Sequence, residues 1–70
     1  MEKSFELTEL EREFDALTSV VHGTTFEAFK LGQLVVKASK VLFGGEVTYF
    51  YDKVYDRLDL LIKEEYKNET

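Results

Sequence analysis

Apolar residues recur along this chain at steps of three and four, the spacing that puts them on one side of an α-helix. In the first third the series is Leu7, Leu10, Phe14, Leu17 and Val21, which predicts a helix over about 6–22. Thr8 followed by Glu11 offers one capping-box start, and Ser4 a competing one. His22-Gly23 reads as the stop, with glycine free to take the left-handed position after the helix. Thr24 and Glu27 form a second capping box, and apolar residues then run to Phe43 before Gly44-Gly45. This predicts a helix over 25–43. In the last third Val47, Phe50, Tyr51, Val54, Leu58, Leu61 and Ile62 share one face, predicting a helix over 47–66. Val47 to Tyr51 is β-branched and aromatic, which also fits a short strand. The helical stripe continues unbroken through Val54 and Leu58, so helix is preferred. Short connections favour antiparallel neighbours. The expectation is an all-α, antiparallel three-helix bundle forming one domain over 1–70.

The middle segment carries more apolar surface than a one-sided helix requires. One stripe is Leu31, Leu34, Val35, Ala38, Val41 and Leu42; a second is Phe29, Val36 and Phe43, with the small residues Ala28, Gly32 and Ser39 beside it. Only Lys30, Gln33, Lys37 and Lys40 make a polar strip. Ordinary surface helices show a single apolar stripe. Either the central helix touches both neighbours with all of this surface, or the second stripe faces another chain, making the protein a homodimer. Gly32 inside a helix costs about 1 kcal/mol relative to alanine, so a packing benefit should offset it. Tyr49 and Leu60 lie opposite the main stripe of the third segment and form a second, weaker candidate. The candidate interface residues are thus Phe29, Gly32, Val36, Phe43, Tyr49 and Leu60.

Composition sharpens this picture. The chain has 70 residues, no cysteine, no proline and one histidine. A core this small supplies roughly 3–5 kcal/mol, and without cysteine no disulfide or thiolate metal site adds to it. Regular helix packing or oligomerisation remains. Net charge is −5, unevenly spread: −4 over residues 1–22, +2 over 23–45 and −3 over 46–70. The negative field disfavours phosphate backbones. Lys30, Lys37 and Lys40 could serve a DNA-binding regulator, but no arginine accompanies them to read guanine. No run of residues approaches a membrane span, and the charged N-terminus has no apolar run. A cytoplasmic protein is expected, with no membrane partner.

Catalytic chemistry finds no foothold. Ser4, Ser19 and Ser39 lack a nucleophile context. His22, expected at a helix C-terminus, is suited to interact with the dipole there. The carboxylates of the first and last helices, such as Glu9 and Glu13, face away from the apolar stripe and read as a solvated surface rather than a metal centre. Gly44-Gly45 matches no phosphate-loop pattern. No catalytic residue, cofactor or metal is assigned. In size and composition the chain resembles accessory proteins of phages and other mobile elements, many of which bind a host or phage protein. No motif carries that resemblance, so it transfers no functional residue. A small regulator or inhibitor that binds another protein is expected; a DNA-binding regulator and an immunity-type or structural bundle are the alternatives.

Overall fold

The computed structural model describes residues 3–69, and the side chains of 3–67. Three helices make up the described chain: α1, Phe5–Thr18; α2, Thr24–Val41; and α3, Gly45–Glu69. No strand occurs among the described residues, so residues 47–51 are helical. α2 packs against both other helices, while α1 and α3 meet over a shorter stretch.

Ser4, and not Thr8, starts α1. Its Oγ accepts the Leu7 N–H at 3.1 Å. The glutamate that completes a capping box comes from another helix: Glu46, in the first turn of α3, accepts from the Ser4 N–H at 2.9 Å and from the Ser4 hydroxyl at 2.8 Å. Position N3 of α1 is Leu7, whose side chain is needed in the core, so the reciprocal acceptor had to come from elsewhere. Glu11 is thereby released for other partners.

α1 ends four residues before the expected boundary. The Thr18 hydroxyl donates to Phe14 O at 2.9 Å, the Ser19 N–H to Asp15 O at 3.0 Å, and the Ser19 hydroxyl to Ala16 O at 3.3 Å. The last of these carbonyls, Ala16 O, is the one that the Val20 N–H would have used had the helix continued. The last turn has no basic residue to favour the dipole, and the β-branched Val20 and Val21 follow. Val21 therefore leaves the predicted stripe and is 99% exposed. His22 lies outside the helix, its ring 5.0 Å from that of Phe26. Gly23 is extended (φ −65°, ψ 145°) and serves as the N-cap of α2 without any side-chain cap bond. The Thr24–Glu27 capping box does not form, because Glu27 turns inward to Arg57.

α2 also stops early. Leu42 is extended (φ −102°, ψ 155°) and only 3% exposed, plugging the end of the core. Phe43 falls beyond the helix and is 81% exposed, so it does not continue the Phe29/Val36 stripe at helical register. Gly44 takes φ +62°, where a side chain would be strained, and its carbonyl accepts the Val47 N–H at 3.2 Å. This turn starts α3 two residues ahead of the expected boundary.

The core is the union of the three main stripes: Leu7, Leu10 and Phe14 from α1; Leu31 and Ala38 from α2 with Leu42 after it; Phe50, Val54 and Leu61 from α3. Phe14 and Phe50 meet edge to face, centroids 6.4 Å apart at 75°, a favoured aromatic geometry. At about 1.5 Å per residue, the 25 residues of α3 span about 37 Å, against about 21 Å for the 14 of α1. α3 accordingly overhangs: from Ile62 to Lys67 every residue is exposed.

A candidate interaction face on α2 and α3

Two sets of polar contacts hold the helices in register and decide which surfaces remain uncovered. Glu27 on α2 is 2% exposed. Arg57 on α3 grips it with two parallel bonds, Nε to Oε2 at 2.5 Å and an NH2 group to Oε1 at 3.1 Å. A buried carboxylate needs such a fork to offset its lost hydration, and the same hydrogen bond holds the Arg57 pKa above its ordinary value against the opposing effect of burial.

On the other side of α3, Glu11 is a hub. Lys3 lies 2.9 Å from its carboxylate, the Tyr49 hydroxyl donates to it at 3.0 Å, and Lys53 stands 3.6 Å away. Burial alone would push the Glu11 pKa up. The hydrogen bonds from Lys3 and Tyr49, with the charges of Lys3 and Lys53, outweigh it and hold the pKa below the ordinary 4.5. A carboxyl lowered in the folded state binds a proton more readily unfolded, so its stabilisation is complete above the ordinary value and disappears as pH falls through the folded one. The melting-temperature difference between the native chain and Glu11→Gln should therefore be largest near neutrality and shrink on acidification below about 4.5. A difference constant from pH 7 to pH 3 would disprove the role given to these contacts.

Tyr49 is thus committed within the chain: its hydroxyl holds Glu11, and the Lys3 ammonium lies 5.6 Å from its ring centroid. That weakens it as a docking anchor, although it remains 45% exposed. Leu60, 54% exposed, stands apart beside Arg57, Lys63 and Glu64. The two do not join into one patch with the α2 residues.

The α2 candidates do come together. Phe29 is 62% and Val36 54% exposed, and with Ala28 and Gly32 they line a shallow groove edged by Gln33, Lys37 and Lys40. A Cβ placed on Gly32 would meet nothing within 4 Å. Within one chain, then, no close approach explains a glycine at this helical position.

Ala28 also lines a second groove, shared with Leu58, Leu61 and Ile62 of α3. The apolar surface of α2 therefore runs on into α3. There Tyr51, Tyr55, Leu58 and Ile62 follow at steps of four, three and four, which is a helical stripe of its own. The Tyr51 and Tyr55 rings meet at a tilt of 58°, centroids 6.1 Å apart. Tyr55 is 53% and Ile62 58% exposed. Of the residues that the sequence pattern places on the core face, Tyr51 and Leu58 are half-buried against the core, while Ile62 is exposed. The step of four from Tyr51 to Tyr55 was the signal that separates the second stripe.

The lysine strip is partly engaged. Lys37 pairs with Glu13 of α1 at 3.0 Å, and Lys30 lies 5.5 Å from the Phe26 ring centroid. Among the described residues no group of three or more His, Cys, Asp or Glu is placed to hold a metal ion. No helix of the described chain is long and apolar enough to cross a membrane. Family models, curated proteins and solved structures, each compared with the chain, give no match.

Proposed function

We propose that this chain is a small non-enzymatic protein-interaction module, a regulator or inhibitor whose unit is a homodimer. We take its bundle as antiparallel between successive helices, a course supported by the Ser4–Glu46 and Glu11–Lys53 contacts, which advance along α1 and α3 in the same direction, and by the short connections. The observation that carries the functional reading is the apolar surface of Phe29 and Val36 on α2 and Ile62 on α3, each more than half exposed and linked through Ala28, which lines a groove with each. Contiguous exposed apolar surface on a small domain marks an interaction site. The unoccupied space over Gly32 supports the same reading, because a helix that another chain approaches closely has a use for a glycine that the lone chain lacks. Energetics support it too. Each large side chain moved out of water contributes about 1.5–3 kcal/mol before association costs, comparable with the whole stability of a core this size.

The test is melting and sedimentation across a range of concentrations. The melting temperature should rise with concentration. Val36→Asp, at a position the chain leaves open, should remove that dependence and leave melting at low concentration nearly unchanged. Gly32→Ala should stabilise the isolated chain by about 0.5–1 kcal/mol through helix propensity while weakening association. A monomer at high micromolar concentration with concentration-independent melting would end this proposal.

A further inference from the structure

Leu31 and Ala38 seat α2 in the core and have no exposed surface. On the opposite side of the helix Phe26, Phe29, Gln33, Val36 and Lys40 follow at steps of three, four, three and four, and all five are exposed. That alternation is the seam along which one helix receives the side chains of another. α2 thus has two helical faces, one filled by its own chain and one open. Gly32 and Ser39 border the open seam on one edge, Lys30 and Lys37 on the other.

Charge selects what fills the seam. Lys3, Arg12, Lys37, Lys53, Arg57 and Lys63 each pair with a carboxylate. Lys30 and Lys40 make no ion pair among the described residues; Lys30 meets only the Phe26 ring. The chain has 14 acids against 9 bases, so a base without an acid is the less expected case, and both of these lie on the exposed side of α2. The one carboxylate of α2, Glu27, is buried against Arg57, so α2 laid on α2 brings an acid to neither lysine. The other helices of a second copy do not match their spacing. Lys30 and Lys40 are ten residues apart, about 15 Å along the axis. In α1 the carboxylates span only the nine residues from Glu6 to Asp15. In α3, Glu46, ten before Asp56, is held by Ser4, and Asp59, ten before Glu69, pairs with Lys63.

We propose that the outward seam of α2 is the docking site for a helix of another protein, one with an apolar seam of its own and carboxylates along its edge. This rests on the interaction-module reading and names the chemistry of the partner. Phe29 and Val36 also belong to the self-association surface, so the partner helix and a second copy exclude one another. The net charge of −5 does not attract such a helix from afar. Selection is local, across contacts shorter than the Debye length of about 8 Å.

Two synthetic peptides of three heptads serve as probes. Both carry leucine at the seam positions; one is flanked by glutamate and the other by lysine. Binding to the full chain is followed by calorimetric titration at low salt. The acidic peptide should bind about ten-fold or more tightly than the basic one, although net charge alone favours the reverse. Lys30→Glu/Lys40→Glu should reverse the preference, and Lys30→Gln/Lys40→Gln should remove it. Melting of each variant without peptide, expected close to that of the native chain, shows that the fold is retained. Equal or tighter binding of the basic peptide, a preference that survives both double substitutions, or no binding of either peptide overturns this inference. Sedimentation without peptide separates it from the homodimer reading. A dimer that binds neither peptide leaves only the homodimer standing, and a monomer that prefers the acidic peptide leaves only the present inference.

Discussion

Phe50→Ala is expected to leave most of the chain unfolded in dilute solution. Phe50 is fully buried in the second turn of α3 and meets the Phe14 ring edge to face. Truncating a buried phenylalanine costs about 3–5 kcal/mol, part lost transfer energy and part cavity. That is as much as a core of this size supplies. Circular dichroism should show loss of the cooperative melt and of most helical signal, because isolated helices of these lengths are marginal in water. Phe50→Leu should cost only about 1–1.5 kcal/mol and keep the transition. A cooperative melt in Phe50→Ala within a few degrees of the native one would show that stability resides elsewhere than in this packing.

Arg57→Met is expected to destabilise by about 2–3 kcal/mol, since it leaves the Glu27 carboxylate buried without its partner; the value sits below the 3–5 kcal/mol of a fully enclosed pair because the Arg57 side chain retains 32% exposure. The double variant Glu27→Leu/Arg57→Met should recover to within about 1 kcal/mol of the native chain, since apolar replacements of both partners remove the desolvation penalty along with the attraction. The sign of this rescue is the informative quantity. Denaturant midpoints for the four proteins of the cycle provide it. If the double variant is as unstable as the two single losses added together, Glu27 and Arg57 are not acting on each other. The pair also sets the level of α3 against α2, and so the alignment of the apolar face that spans them.

The three-helix pattern was legible because it depends on local periodicity. Leu7, Leu10 and Phe14, Leu31 and Ala38, and Phe50, Val54 and Leu61 each recur at helical steps, and all became core. The excess of apolar circumference on the middle helix was equally legible, and Phe29 and Val36 are exposed on a single chain. Helix ends were less so. Thr18 and Ser19 close α1 with their own hydroxyls, a choice that competes with continuing the helix by margins too fine for a pattern to decide. Phe43 looked like the third member of a stripe until Leu42 left helical geometry to fill the core.

What the chain determined by itself is everything set by neighbours three and four residues away: which segments are helical and which stripe of each is greasy. Tertiary structure decided the pairing of polar groups remote in sequence. Glu46 came to cap Ser4, Arg57 to Glu27, and Tyr49 with Lys53 to Glu11. It also decided that Ala28 of α2 shares a groove with Leu58, Leu61 and Ile62 of α3. Periodicity places a residue on a side of its own helix, but only the packing of one helix against another says whether that side is covered, because burial depends on distance in space and not on distance along the chain.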